Sequence, residues 1–205
     1  MKVRLDARLA TCAALVRQGS SVADIGSDHA LLPAFLWQNG WTDLIASDIN
    51  ERPLDSARRT LEKHGISDVK LILSDGFENL PPCDDVIIAG MGGEMIVEIL
   101  SGCRHKGADT RFILQPMTRH EALRRELYRL GFEIITEVLT QCSKKIYTII
   151  HACYTGEKRE TDDVFAFVGK QKNPLYIEKQ LSKIIKLAKG DSRYSALAAE
   201  IKELL

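Results

Sequence analysis

The sequence lacks the features that mark membrane, exported and metal-binding proteins. No apolar run in its 205 residues approaches the roughly 20 residues that cross a bilayer. The first six residues contain no apolar core of the kind that a signal peptide requires. The five cysteines include no Cys-x-x-Cys pair, and the five histidines show no metal-ligand spacing. We therefore expect a cytoplasmic protein with reduced thiols, no metal and no membrane partner.

The sequence also has no excess of positive or negative charge, because 28 Lys and Arg residues balance 28 Asp and Glu residues. This balance hides an asymmetry along the chain. Residues 1–100 carry 9 basic and 15 acidic residues, whereas residues 101–205 carry 19 basic and 13 acidic residues. An acidic half beside a basic half is compatible with a small cationic ligand in the first and a polyanion near the second.

Short apolar segments alternate with helical patterns through the first 130 residues. After Gly131, two segments alternate without a helix around the polar stretch 140–144, which predicts an antiparallel hairpin at the edge of a sheet. We predict an α/β fold with a doubly wound, mostly parallel seven-stranded sheet, closer to the methyltransferase than to the dehydrogenase type. The predicted strands are 21–25, 44–48, 69–73, 85–89, 111–114, 132–139 and 145–152, and the helices are 5–16, 30–38, 51–63, 95–100 and 120–130.

Residues 160–205 contain two amphipathic helical stripes separated by a turn at 189–192. Three lysines repeat the spacing of the first stripe and lie about 200° from it around the same helix. We predict a C-terminal α-helical hairpin, similar to a short coiled coil, and domains at 1–155 and 156–205. The stripes are Ile177, Leu181, Ile184 and Ala188, then Leu197, Ile201 and Leu204, and the lysines are Lys179, Lys183 and Lys186.

An acid, a glycine and a second acid follow one another at the end of the first predicted strand. Gly26 allows a tight turn, and Asp24 and Asp28 offer acceptors to a ligand. Two of the three glycines of the dinucleotide fingerprint are absent, and Asp28 would repel a pyrophosphate. A cationic cofactor without phosphates, such as S-adenosylmethionine, suits this loop better. The alternative is an ordinary turn in which Asp24 or Asp28 caps the next helix.

Acids also follow the second and third predicted strands. Asp48 lies 22 residues after Gly26, where a carboxylate can accept both ribose hydroxyls of a nucleoside. Asp75, followed by Gly76, lies where a group contacting an adenine amino group belongs. The alternatives are a helix-start acid beside Asn50 and a common Asp-Gly turn.

Three glycines in four positions, at 90, 92 and 93, follow the fourth predicted strand. One glycine usually suffices for a turn, whereas three suit flat groups that press against the backbone. A flexible connection into the next helix is the alternative. At the same sheet edge, Gln115 could orient a base and Pro116 stiffens the loop, although this pair by itself is more often structural.

Three motifs taken together resemble a known family. They are ADIGSDHALLP at 23–33, IAGMGG at 88–93 and LQP at 114–116. They are similar to motifs of the bacterial tRNA (adenine-N1)-methyltransferases that modify adenine 22, and the resemblance spans residues 5–205. It implies a class I methyltransferase with S-adenosylmethionine as cofactor and tRNA as partner. The family often has asparagine where this chain has Met117.

The resemblance also implies roles for individual residues in an enzyme that we expect to be a monomer. The implied catalytic residues are Asp28, His29, Gly92 and Gln115. The implied cofactor-binding residues are Asp24, Gly26, Ser27, Asp28, Asp48, Ile49, Asn50, Asp75, Gly76, Ala89, Gly90, Met91 and Gly92. The implied substrate-binding residues are Arg8, Gly93, Pro116, Lys179, Lys183 and Lys186.

The chemistry that the resemblance implies makes modest demands on the site. N1 of adenine carries a free lone pair, so no strong base is needed, and acceptors near the ring would stabilise its developing positive charge. The base must be extruded from its RNA to be reached. Two alternatives stay open: a class I methyltransferase acting on a small molecule or a protein, and a catalytically silent RNA-binding module that kept the nucleoside pocket.

Overall fold

The computed structural model describes residues 2–143 and 145–205 and contains one seven-stranded sheet. The fold class predicted from the sequence is confirmed. Lys144, in the polar stretch between the last two predicted strands, lies outside the described residues. The strands are β1 (Val22–Ile25), β2 (Leu44–Asp48), β3 (Val69–Leu73), β4 (Asp85–Gly92), β5 (Arg111–Thr118), β6 (Phe132–Cys142) and β7 (Lys145–Tyr154).

The strand order is β3-β2-β1-β4-β5-β7-β6. The strands from β1 to β5 pair in parallel, and β7 pairs antiparallel with both β5 and β6. The chain moves outward from β1 through β2 and β3, then restarts at β4 on the other side of β1. This reversal opens a crevice between the loops that follow β1 and β4, which is where ligands bind in open α/β sheets.

Helices cover both faces of the sheet because its central strands are apolar on both sides. Ile87 packs on one face and Ile88 on the other, and both side chains are fully buried. Successive residues of a strand point to opposite faces, so a continuous apolar run is what a covered parallel strand requires. The first face carries α1 (Ala7–Ala14), α2 (Leu31–Gln38) and α3 (Glu51–His64), and the second carries α4 (Gly93–Ser101) and α5 (His120–Arg129).

Strands β4 and β5 run further than their apolar residues indicate. The predicted strands ended at Ala89 and Leu114, whereas the observed strands continue to Gly92 and Thr118. Gly92 pairs with Thr118 after shifts of register in the β4–β5 pairing. Backbone hydrogen bonds extend the two strands, and such bonds leave no hydrophobic pattern in the sequence. The glycine segment is therefore the end of a strand rather than a loop.

The C-terminal region has three helices rather than the two predicted. The helices α6 (Asp163–Val168), α7 (Pro174–Ala188) and α8 (Arg193–Lys202) share a buried apolar cluster. With six residues, α6 is too short to show a helical period in the sequence. The predicted hairpin is formed by α7 and α8, which pack against each other. The division into domains at 1–155 and 156–205 stays a prediction.

A buried ion pair fastens the C-terminal helices to the sheet. Arg124 on α5 is fully buried, and its Nε lies 2.7 Å from Oε1 of Glu137 on β6. Its Nη1 donates to the carbonyls of Ala166 and Phe167, and its Nη2 donates to Glu137 Oε2 and to the Tyr176 hydroxyl. Burial lowers the pKa of Arg124, but the Glu137 carboxylate and Tyr176 outweigh it and raise the pKa above its usual value. Every guanidinium nitrogen thus has a partner across this junction.

Among the described residues, no helix combines the length and the apolar character needed to cross a membrane. In the same part of the chain, no group of three or more His, Cys, Asp or Glu side chains could hold a metal ion. The five cysteines are free thiols, and burial raises the pKa of Cys12 to about 12.

Candidate functional site

Two cavities adjoin at the carboxyl edge of the parallel strands. The first, of about 370 Å³, lies beside the ends of β1, β2 and β3. The second, of about 390 Å³, lies beside the ends of β1 and β4 and the start of α1. Gly26 and Met91 line both cavities. An extended ligand that filled both would therefore run past these two residues.

Gly26 turns the chain out of β1 towards the crevice. The N–H groups of Gly26 and Ser27 both donate to the carbonyl of Ser47 on β2, at 2.8 and 2.9 Å. Gly26 has a φ of +72°, and a Cβ atom at this position would collide with the side chain of Met91. A side chain at this position would strain the left-handed backbone and displace the end of the Met91 side chain, so glycine is favoured.

The loop after Gly26 holds two side-chain-bearing residues in the left-handed region. Asp28 has a φ of +49° and Ala30 a φ of +51°. This conformation costs roughly 1–2 kcal/mol for most residues, although aspartate visits it more readily. Ala30 precedes α2 and makes no side-chain capping bond. The alternative in which Asp24 or Asp28 caps α2 is therefore wrong, and Asp28 lines the second cavity instead.

Asp24 is nearly buried at the end of β1, with 6% of its surface exposed. Burial raises the pKa of its carboxyl to about 7, and a hydrogen bond from Ser27 Oγ, at 2.7 Å from Oδ2, acts in the opposite direction. The carboxyl lines the second cavity. A cationic group bound there would favour the ionised form of Asp24.

The first cavity combines acids with apolar walls. Asp48 Oδ1 accepts the N–H of Asn50 at 3.0 Å, so this carboxylate is held at the cavity edge. Asp75 lines the cavity after the end of β3. Ile49 and Met95, also in the lining, are 58% and 51% exposed. Exposed apolar side chains beside fixed carboxylates suit a nucleoside, with its flat base and its ribose hydroxyls.

The second cavity is lined by acids and one guanidinium. Asp6, Asp24 and Asp28 contribute carboxyl groups, and Arg8 contributes the guanidinium. His29 Nε2 lies 3.5 Å from Asp28 Oδ2, and both side chains are more than half exposed. The excess of carboxylates fits a ligand group with positive charge and opposes a phosphate. The two cavities together fit a nucleoside with a cationic, phosphate-free substituent.

Gln115 lines neither of these cavities, which corrects its predicted contact with a base. It is fully buried, and its Oε1 accepts from Arg8 Nη1 at 2.7 Å and from the N–H of Gly90 at 3.2 Å. Its Nε2 donates to the carbonyl of Pro116 at 2.8 Å. Gln115 therefore orients Arg8, and Arg8 lies at the cavity wall.

Two of the three clustered glycines serve the packing of the protein itself. A Cβ atom on Gly93 would collide with the backbone of Arg119, and one on Gly92 would lie 3.3 Å from Thr118 Oγ1. Gly90 differs, because it has a φ of +83° and lines the second cavity. A ligand in the second cavity could therefore contact the backbone of Gly90, as predicted, but not that of Gly92 or Gly93.

Some of the predicted site residues line the two cavities, and others do not. The residues that line the two cavities are Arg8, Asp24, Gly26, Ser27, Asp28, His29, Asp48, Ile49, Asp75, Gly76, Ala89, Gly90 and Met91. The residues outside both linings are Asn50, Gly92, Gly93, Gln115, Pro116, Lys179, Lys183 and Lys186. Of these, Lys179 and Lys183 line a third cavity, between α5 and α7.

Sequence reasoning missed several lining residues, among them Asp6, Leu31 and Met95. Asp6 begins α1 by accepting the N–H of Leu9 at 2.8 Å. An aspartate before a helix is a visible signal of a helix start. That signal does not tell where the helix packs, so the place of α1 beside β1 and β4 needed the tertiary structure.

Comparisons with known proteins agree with this geometry. A protein-family model described as “Methyltransferase domain” matches residues 5–150. The tRNA (adenine(22)-N(1))-methyltransferase of Bacillus subtilis (strain 168) is 33% identical over 192 residues, which cover 87% of this chain and 80% of the relative.

Solved structures extend the likeness to the whole chain. The B. subtilis M1A22 tRNA methyltransferase TrmK superposes with a TM-score of 0.87 at 29% identity, over 99% of each chain. A Streptococcus pneumoniae protein in complex with S-adenosyl-L-methionine superposes with a TM-score of 0.86 at 29% identity, over 98% of this chain and 100% of that chain. The extent of these matches shows that the chain belongs to the tRNA (adenine(22)-N1)-methyltransferase family of class I methyltransferases.

Proposed function

We propose that this protein transfers a methyl group from S-adenosylmethionine to N1 of adenine 22 in tRNA. The observation that carries the proposal is the pair of adjoining cavities that share Gly26 and Met91 in their linings, with carboxylates in both. The relatives named above, one of them bound to S-adenosyl-L-methionine, support the choice of cofactor and substrate.

The cofactor would lie across the two cavities. Asp48 would accept the ribose hydroxyls, and Asp75 would face the adenine amino group, with Ile49 against the ring. Asp24 and Asp28 would face the cationic methionine end. S-adenosylmethionine supplies an electrophilic methyl group on a sulfonium. It carries no phosphate, so the carboxylates that would repel a dinucleotide favour it instead.

The target adenine would enter from the second cavity, beside Asp28 and Gly90. The N1 lone pair is already available, so alignment of N1 with the methyl group supplies much of the catalysis. Positive charge passes to the adenine ring during transfer, and the Asp28 carboxylate would stabilise it. His29 would hold that carboxylate in place, since its Nε2 lies 3.5 Å from Asp28 Oδ2.

Arg8 would bind the nucleotide rather than its base. A guanidinium stacked beside a ring that becomes positive would oppose the reaction, whereas the sugar oxygens of an extruded nucleotide are acceptors that the carboxylates of this cavity do not repel. Gln115 holds Arg8 at the cavity wall through the 2.7 Å bond to its Nη1. We infer a positioning role for Gln115.

We infer further that the enzyme acts in the cytoplasm, and the proposed tRNA substrate supports this inference. The monomeric state stays a prediction from the sequence.

Mapping of the methylated nucleotide tests the proposed function most directly. Purified enzyme and cofactor are added to tRNA from a strain that lacks the gene, and the tRNA is digested and analysed by mass spectrometry. We expect one methyl group, on adenine 22. Methylation of a metabolite or a protein without tRNA methylation would contradict the proposal. Absence of cofactor binding in calorimetry would favour a silent RNA-binding module.

The affinity for the cofactor should increase with pH. Because burial raises the pKa of Asp24 to about 7, its carboxyl is mostly protonated at pH 6 and mostly ionised at pH 8. A cationic cofactor binds the ionised form, so its affinity should rise roughly tenfold across this interval. Calorimetry of the wild type and of Asp24→Asn measures the effect. A rise of equal size in the variant would assign the titration to another group.

The same carboxyl should affect folding in the opposite direction. Its folded-state pKa lies above the usual aspartate value of 3.8, so the folded protein binds this proton more tightly than the unfolded chain does. The resulting stabilisation is complete below about pH 4 and is lost as the pH rises towards 7. The melting temperature of Asp24→Asn should therefore fall less than that of the wild type as the pH rises from 4 to 7.

A further inference from the structure

A third cavity, of about 680 Å³, lies between the start of α5, strand β7 and the C-terminal helices. It shares no lining residue with the two cavities of the methyl-transfer site. Met117 and Thr118 contribute to its wall and directly follow the Gln115–Pro116 pair. The cavity therefore opens at the same sheet edge as the methyl-transfer site, displaced towards the C-terminal helices.

The charged groups around this cavity are mainly positive. Arg119, Arg125, Lys179 and Lys183 line it together with one carboxylate, that of Glu121. Lys183 Nζ pairs with Glu121 Oε2 at 3.0 Å. Arg125 pairs with Asp163 and Arg119 with Glu94, whereas Lys179 Nζ donates to the neutral backbone carbonyl of Ile146 at 3.4 Å. The charge of Lys179 is not offset by that bond.

A buried hydroxyl without a partner belongs to a residue in the wall of the same cavity. Thr148 on β7 is 1% exposed, and its Oγ1 has no hydrogen-bond partner among the described residues. Thr148 lines the cavity together with Ile146, which is two positions away and therefore on the same face of the strand. A buried polar atom without a partner is destabilising. An anionic oxygen in the cavity would accept a hydrogen bond from this hydroxyl.

The start of α5 faces the same space. His120, Glu121 and Ala122 belong to the first turn of this ten-residue helix and line the cavity. Arg119 precedes them in the left-handed conformation, with a φ of +56°, and makes no side-chain capping bond. The N–H groups of a first helical turn carry partial positive charge and favour anions, and the Glu121 carboxylate already accepts from the N–H of its own residue. Burial lowers the pKa of His120 to about 4, so this imidazole is a neutral hydrogen-bonding group at physiological pH.

We propose that this cavity binds a phosphodiester group of the RNA substrate that flanks the methylated nucleotide. The proposal rests on the proposed tRNA methyltransferase function and adds a second contact point on the RNA. Lys179 supplies the charge, and the Thr148 hydroxyl and the first turn of α5 supply the hydrogen bonds. Because these groups come from the sheet and from α7, the RNA phosphate bridges both parts of the chain.

Two variants test the site from different directions. Thr148→Val keeps the shape of the side chain and removes the hydroxyl. Its affinity for tRNA should fall about tenfold, the loss expected for one hydrogen bond to a charged group. Its melting temperature should stay the same or rise by about 2–4 °C, since an unpaired buried hydroxyl is removed. A purely structural role for Thr148 would not combine weaker RNA binding with equal or higher stability.

Lys179→Ala tests the charge. Its tRNA affinity should fall, and the slope of the logarithm of the binding constant against the logarithm of the salt concentration should decrease by about one. Lys202→Ala removes an exposed lysine on α8 that does not line the cavity, and it serves as the matched control with unchanged tRNA binding. Filter binding at several salt concentrations measures the affinities. Calorimetry should give the same cofactor affinity for all variants.

The outcomes separate this proposal from the proposed function. Wild-type methylation of adenine 22, with wild-type tRNA affinity in both Thr148→Val and Lys179→Ala, would overturn the phosphodiester site alone. Weaker tRNA binding in both variants, with the methyl group found on another nucleotide, would overturn the proposed function and support the site. Titration with inorganic phosphate tests the remaining source of the anion. Binding of free phosphate that both variants lose, with tRNA affinity unchanged, would overturn the RNA assignment.

Discussion

Asp28→Asn should lower the rate constant of methyl transfer by about 100-fold, the size of effect seen when one electrostatic contact to a transition state is removed. Asp28 lines the second cavity with a side chain that is 66% exposed, so it is available to a docked base. The adenine ring gains positive charge as the methyl group arrives, and a neutral amide stabilises that charge less than a carboxylate does. Single-turnover assays with saturating cofactor and tRNA measure the step.

Asparagine is the appropriate replacement because it tolerates the left-handed backbone that Asp28 adopts, with a φ of +49°. The melting temperature of the variant should therefore stay close to that of the wild type. His29→Ala, which removes the group 3.5 Å from Asp28 Oδ2, should cause a smaller loss. A rate constant for Asp28→Asn within twofold of the wild type would remove Asp28 from the proposed mechanism.

Arg124→Ala should lower the free energy of unfolding by about 3–5 kcal/mol. The substitution leaves the carboxylate of Glu137 buried without its cation, and it removes the donors to Ala166, Phe167 and Tyr176. An uncompensated buried charge is far more costly than a lost surface contact. Urea denaturation followed by circular dichroism measures the change.

Two further variants keep this test informative if Arg124→Ala does not fold. Tyr176→Phe removes one hydrogen bond to the guanidinium and should cost about 1.5–3 kcal/mol. Arg129→Ala is the matched control on the same helix, because Arg129 pairs with Glu126 and Glu160 at the surface and should contribute little. Equal destabilisation by Arg124→Ala and Arg129→Ala would show that the junction at Arg124 is not a main source of stability.

The order of strands and helices could be predicted from the sequence because each central strand is buried on both faces. The sequence of such a strand is a continuous apolar run, as at 86–89, and the helices between strands show their own period. The acids and glycines after the first three strands could be placed at one sheet edge because parallel strands end on the same side. Eleven of the thirteen residues predicted for the cofactor line the two cavities, while Asn50 and Gly92 do not.

Gln115 and Lys183 show where the pattern stops being informative. Both are polar residues at places where a ligand contact was expected, yet Gln115 is buried against Arg8 and Gly90, and Lys183 pairs with Glu121 on α5. A polar side chain can contact a ligand, or it can form hydrogen bonds and ion pairs with neighbouring residues of the protein. Its position in the sequence is the same in both cases. The direction of the side chain decides between them.

The sequence by itself determined the fold class, the sheet edge that carries the loops and, through the single glycine at 26 with its two flanking acids, a preference for a cationic cofactor without phosphates. Local residue order suffices for these, because strand burial and turn geometry depend on neighbours along the chain. Only the tertiary structure decided that Arg124 bridges residues 13 and 52 positions away and that Thr148 and Lys179 line the same cavity. Such contacts join distant segments through packing, and no periodicity in the sequence records them.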